Sequence, residues 1–137
     1  MVLIRILIVD DCVSWRREVI SLLERKPGFQ IIGEASDGLE AVLKSAELQP
    51  DLVLLDVGLP KFNGVEAARR ILQDAPESKI VFLSGNSNPE LVQELLNLGA
   101  RAYILKADAG SDLLPAIKGV VAGQRFVSRS VIRQGSF

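Results

Sequence analysis

The chain has 137 residues, 48% hydrophobic and 24% charged, with a formal net charge of −1, the proportions of one soluble globular domain. It contains no histidine, which removes the commonest general base, the commonest metal ligand and any phosphohistidine of its own. Its single cysteine, Cys12, excludes an internal disulfide and a thiolate zinc site, and the near-balanced charge gives no bulk attraction to nucleic acid or anionic lipid.

The chain opens on "MVLIRILIV", which is apolar but split by Arg5 and stopped by Asp10. It is too short to span a bilayer and lacks a signal peptide's basic start and cleavage site, so the expected location is the cytoplasm, with no membrane partner. "IRILIV" reads as a first strand, and Trp15, Val19, Leu22 and Leu23 as the stripe of a first helix. Trp15, four residues after Asp11, is expected one turn above that acid on the same helix face, as a partly buried packing residue. Cys12 reads as a small apolar filler. The strand "FQIIGEA" follows, then a helix on Leu39, Val42, Leu43 and Ala46. The strand "DLVLL" precedes a helix on Val65, Ala68, Ile71 and Leu72, and "KIVFL" one on Leu91, Val92, Leu95 and Leu96. "AYIL" leads into Leu113, Leu114, Ile117, Val120 and Val121, a helix that tolerates Pro115 only in its first turn. In the tail, Arg125, Arg129 and Arg133 are spaced four apart; a frayed linker end is preferred there to a basic helical stripe.

Five β–α pairs in strict alternation predict an α/β fold, a parallel sheet with helices on both faces. In such sheets ligands bind beyond the carboxyl ends of the strands, so polar residues at strand exits are the candidates. These are Asp10 and Asp11 after the first strand, Asp56 after the third, Ser84 at the fourth and Lys106 after the fifth. Clustered carboxylates stay ionised only with compensation, and a hard divalent cation held through oxygen, Mg2+, is the natural remedy. Lys106 adds a second, mobile positive charge. The anion such a site suits is a phosphoryl group, since phosphoryl transfer needs positioning and charge neutralisation more than covalent help. Asp56 is then the nucleophile, Lys106 and Mg2+ neutralise phosphoryl oxygens, and the Ser84 hydroxyl donates to a third.

At "ILIVDD", "DVGLPKFNG", "VFLSG" and "GARAYILK" the chain resembles a response-regulator receiver domain of bacterial two-component signalling. "GEASDGLEAV" and the segment from "GARAYILK" onward look like the NarL/FixJ (LuxR-type) branch. The resemblance covers roughly residues 3–123, leaving 124–137 as a tail or linker toward a possible output domain. It implies a flavodoxin-like, doubly wound five-stranded parallel sheet of order 2-1-3-4-5 with five helices. It implies that Asp56 is phosphorylated, that Asp11, Asp56 and the backbone carbonyl of Gly58 ligate Mg2+, and that Asp10 assists through water or a hydrogen bond. Lys106 would pair with phosphate, Ser84 would be the switch hydroxyl and Tyr103 the switch aromatic, which in the family turns inward as the hydroxyl moves toward phosphate. The surface of the fourth helix, fifth strand and fifth helix would carry the signal. The family commonly has Thr where Ser84 stands, and Pro in a cis peptide after the lysine, where this chain has Ala107.

The implied partners are a sensor histidine kinase or phosphotransfer protein, and a second copy of the chain in a homodimer. DNA would be reached only through a helix-turn-helix output domain that is not among these residues. Two other readings stand beside this one. A stand-alone or degenerate receiver would act as a protein-binding module. A phosphohydrolase of haloacid-dehalogenase type would need a general acid two residues after Asp56, where the chain has Gly58.

Overall fold

The computed structural model describes residues 3–86 and 88–132. Its strands are β1 (Ile4–Val9), β2 (Phe29–Ala35), β3 (Leu52–Leu55), β4 (Lys79–Ser84), β5 (Ala102–Leu105) and β6 (Phe126–Val127). Its helices are α1 (Val13–Glu24), α2 (Gly38–Leu48), α3 (Gly64–Asp74), α4 (Pro89–Leu98), α5 (Ala109–Val121) and α6 (Arg129–Ile132), with a 3-10 turn at Lys106–Asp108. The sheet is parallel throughout, in the order β2-β1-β3-β4-β5-β6. Period-two side chains divide the core into two layers. Leu7, Val9, Val53, Leu55, Phe82 and Tyr103 face the layer covered by α2, α3 and α4, and Ile6, Ile8, Leu54, Val81 and Ile104 the one covered by α1 and α5.

Three helices start on side-chain caps, which satisfy N–H groups that have no partner inside the helix. Asp37 accepts from Glu40 N, Asn63 from Val65 N and Glu66 N, and Asn88 from Glu90 N, the last followed by Pro89 in the first turn.

The first five strands take the expected order, and four local features differ from the expectation. β6 adds a sixth strand against β5, pairing Ala102 with Phe126 and Tyr103 with Val127. Two residues are too few for a periodicity to be read. Ser128 and Val131, just beyond it, are buried, so this part of the expected tail is joined to the sheet through Phe126, Val127, Ser128 and Val131. Arg125 and Arg129 lie on opposite sides of β6 and share no helical stripe, while Arg133 lies outside the described residues. Second, α2 buries Gly38, Ala41, Val42 and Ser45 and leaves Leu39 and Leu43 exposed. Backbone contact sets its rotation: Gly38 N and Leu39 N donate to Pro60 O and Lys61 O, and a Cβ at Gly38 would meet Phe62 O at 1.4 Å. Third, Pro115 sits mid-helix in α5, where the burial of Leu113, Ala116, Ile117 and Val120 outweighs its poor propensity. Fourth, Cys12 is exposed, at the N-cap of α1, and fills no core space. Among the described residues no peptide is cis, and no helix is long and apolar enough to cross a membrane.

Candidate functional site

Parallel strands deliver their carboxyl ends to one edge of the sheet, and the order β1-β3-β4-β5 puts four of those ends side by side. Asp10 follows β1, and its backbone N–H is fixed to Ala35 O at the end of β2. Asp56 follows β3, with its own N–H on Val9 O. Ser84 closes β4, and Lys106 opens the 3-10 turn after β5. Asp10 and Asp56 are 3% and 8% exposed, whereas Asp11 faces solvent. One oxygen of each carboxylate lies within 4.8 Å of the other two.

The Lys106 ammonium enters this cluster from β5, with Nζ 2.7 Å from Asp10 Oδ2 and 3.6 Å from Asp56 Oδ2. Asp10 Oδ1 accepts the Cys12 N–H at 2.9 Å, and Asp56 Oδ1 accepts the Gly58 N–H at 3.4 Å. Burial raises the Asp56 carboxyl above the usual range; the Asp10 and Asp11 charges add to this, while Lys106 and the Gly58 N–H oppose it. Burial works to lower the Lys106 ammonium, but the Asp10 hydrogen bond and the charges of Asp56 and Asp10 outweigh it, so its pKa stands raised.

Three carboxylates against one ammonium leave an excess of negative charge, and the donor set is oxygen throughout, which suits a hard divalent cation. Both Asp10 oxygens are already hydrogen-bonded, one to Lys106 and one to Cys12 N, so Asp11 and Asp56 keep the more open oxygens. The residues present therefore fit a magnesium-type site with few carboxylates.

Gly64 explains the glycine of "DVGLPKFNG". Its N–H donates to Val57 O, and a Cβ there would lie 2.4 Å from Asp56 O and 2.6 Å from Val57 Cα. The start of α3 thus rests on the backbone of the central acid.

On the β4 side, Ser84 is buried and its Oγ accepts from Asn86 N at 3.2 Å. Tyr103 is fully buried, with its ring centroid 6.3 Å from that of Phe82 and its hydroxyl donating to Asn86 O. Burial raises the Tyr103 pKa, the nearby Ser84 hydroxyl opposes that, and the Asp56 charge adds to it. Asn86 thereby joins two expected site residues at one loop.

Asp11 lies before α1, so it shares no helix face with Trp15; the indole instead has the Lys106 ammonium 5.4 Å from its ring centroid. That pairing, and the contact of Ser128 Oγ with Leu105 N at 3.0 Å, join residues far apart in the chain that carry no shared motif.

Residues 6–118 match the response regulator receiver domain family. The response regulator GacA of Pseudomonas viridiflava is 36% identical over 132 residues, covering 96% of this chain and 62% of its own. The chain therefore spans less than two thirds of the length of such curated relatives. Among solved structures, a two-component response regulator of the LuxR family from Aurantimonas sp. SI85-9A1 superimposes with a TM-score of 0.89 at 32% identity, over 94% of this chain and 92% of that one. A chain of the CheX–CheY–BeF3–Mg2+ complex from Borrelia burgdorferi does so with a TM-score of 0.83 at 29% identity, over 88% of this chain and 90% of that one. With the fold, the acid cluster and these likenesses in agreement, the chain belongs to the response regulator receiver domain family, in its NarL/FixJ (LuxR-type) branch.

Proposed function

We propose that this chain takes a phosphoryl group from a histidine of a partner kinase or phosphotransfer protein onto Asp56, in a Mg2+-dependent reaction. The observation that carries the reading is the buried Asp56 carboxylate at a strand end, with the Lys106 ammonium 3.6 Å away and two more acids beside it. An Asp56 oxygen attacks phosphorus as the P–N bond to the donor imidazole breaks, leaving an acyl phosphate on the aspartate. Asp10 is engaged by Lys106 and Cys12 N, and Asp11 lies in solvent, which leaves Asp56 as the enclosed nucleophile.

Lys106 then exchanges Asp10 for a phosphoryl oxygen. Ser84 Oγ, now accepting from Asn86 N, still has its own proton to donate to another. Asp11, Asp56 and the Gly58 carbonyl would hold Mg2+, with Asp10 assisting through water or a hydrogen bond, and the ion would supply neutralisation of phosphoryl charge. The likeness to a chain from a complex containing BeF3 and Mg2+ supports this assignment. Gly58 has no side chain to bar water from the acyl phosphate, so the modification has a limited lifetime.

Phosphorylation adds roughly −1.5 to −2 charges at neutral pH. That charge biases a two-state equilibrium at the Ser84–Asn86–Tyr103 junction, read out on the surface of α4, β5 and α5. Membership of the LuxR-type branch supports transcription control as the output, through a helix-turn-helix domain and a homodimer, with DNA touched only by that domain. The test is incubation with phosphoramidate, which carries a P–N bond like the natural donor. Mg2+-dependent, alkali-labile labelling that vanishes in Asp56→Asn is expected; labelling that persists in that variant overturns the proposal.

A further inference from the structure

The structure assigns to Trp15 the task of positioning Lys106: the indole face keeps the ammonium over the site while it changes partners from Asp10 to the phosphoryl group. This rests on Asp56 being the phosphoacceptor.

Lys106 has three neighbours for its charge: Asp10 Oδ2 at 2.7 Å, Asp56 Oδ2 at 3.6 Å and the Trp15 ring at 5.4 Å to the centroid. The lysine must give up its shortest bond, to Asp10, in order to reach a phosphoryl oxygen on Asp56. Its side chain is 25% exposed, and a four-carbon stem released from one carboxylate has much rotamer freedom to swing into water. An aromatic face attracts a cation within about 6 Å of its centroid and does so without a fixed donor–acceptor direction. It can therefore hold the ammonium through a sideways shift that breaks a hydrogen bond.

The ring itself is well anchored for this. Trp15 lies in the first turn of α1 and packs against the core layer that contains Val19 and Ile8. Its Nε1 is buried, and among the described residues no protein group accepts from it. No hydrogen bond to a described residue orients the indole. The contacts that remain are those of its faces and edges, with the core layer on one side and the lysine on another.

The test uses Trp15→Phe and Trp15→Leu in the full chain, with thermal melts to show that both fold. Phe keeps an aromatic face and removes the indole N–H; Leu keeps apolar packing and removes the face. Two quantities are read: beryllofluoride affinity in saturating Mg2+ by calorimetry, and the NMR shift of the Lys106 ε-methylene protons, which a ring face moves upfield. Trp15→Phe is expected to bind within about twofold of the wild type, and Trp15→Leu about three- to tenfold more weakly, with the upfield shift kept in Phe and lost in Leu. If Leu lowers the melting temperature sharply, Trp15→Met provides the face-free variant. Equal affinities for Trp and a folded, face-free variant overturn the assignment, as does a Lys106 ε-methylene without ring shift in the wild type. If the wild type fails to bind beryllofluoride at all, it is the phosphoacceptor reading that fails, and the ring shift still decides the Trp15–Lys106 contact.

Discussion

The Lys106 ammonium is bonded to Asp10, at 2.7 Å, more closely than it approaches Asp56, at 3.6 Å. Among the described residues it is the cation that pairs with the carboxylates of the acid cluster. Lys106→Met strands a buried Asp10 charge, and the expected loss in metal-free urea unfolding is about 1–3 kcal/mol, less than for a fully enclosed pair because the lysine is partly exposed. Saturating Mg2+ should narrow the deficit, since a ligand of the native state adds stability by mass action. An unchanged unfolding midpoint in metal-free buffer would show that the ion pair carries no weight.

Asp56 yields a pH prediction. Burial, aided by the Asp10 and Asp11 charges and opposed by Lys106, raises its folded-state pKa. A raised carboxyl pKa means that the native state binds the proton more tightly than the unfolded chain. The favourable contribution is present below the unfolded pKa and is lost as pH rises through the folded one. In metal-free buffer, Asp56→Asn should melt higher than the wild type at neutral pH, and the gap should close in acid below about pH 4. A gap that widens in acid contradicts the assigned sign.

Gly64→Ala drives a Cβ to 2.4 Å from the Asp56 carbonyl oxygen, and backbone cannot yield as a flexible side chain does. A destabilisation of about 1–3 kcal/mol is expected, together with slower phosphoryl labelling, because the strain falls on the peptide of the proposed phosphoacceptor. Gly85→Ala is the control: a Cβ there meets nothing within 4 Å among the described residues, and its melting temperature should match the wild type.

Ser128→Ala tests whether β6 belongs to the domain. Ser128 Oγ accepts the Leu105 N–H at 3.0 Å and donates to Asp112 at 3.2 Å, with the residue 0% exposed. Alanine leaves the Leu105 N–H buried without that partner, at a cost of about 1–3 kcal/mol. Hydrogen exchange at the Leu105 amide should accelerate in the variant; unchanged protection would mean that the serine contact is not holding β5.

The first five strands are legible because each is a short apolar run ended by a polar residue. The acid cluster was legible because parallel strands share one exit edge, so Asp10, Asp56, Ser84 and Lys106 could be brought together without knowing any contact. The misread features have physical reasons. Leu39 and Leu43 made the stronger apolar stripe on α2, but the fit of Gly38 against the Phe62 carbonyl turned that helix the other way. Pro115 and the two-residue β6 are held by tertiary packing, which local propensity does not encode. Helix spacing alone points Trp15 toward Asp11; its cation is Lys106, brought in by β5 from the far end of the chain.

The most direct test of the central claim is to treat the protein with a small phosphodonor and Mg2+, reduce it with borohydride and map the product by peptide mass spectrometry. An acyl phosphate on aspartate becomes homoserine on reduction. Conversion at position 56 alone, dependent on Mg2+, is the predicted result. Conversion at position 10 or 11, or none anywhere while the folded protein is exposed to donor and metal, would contradict it.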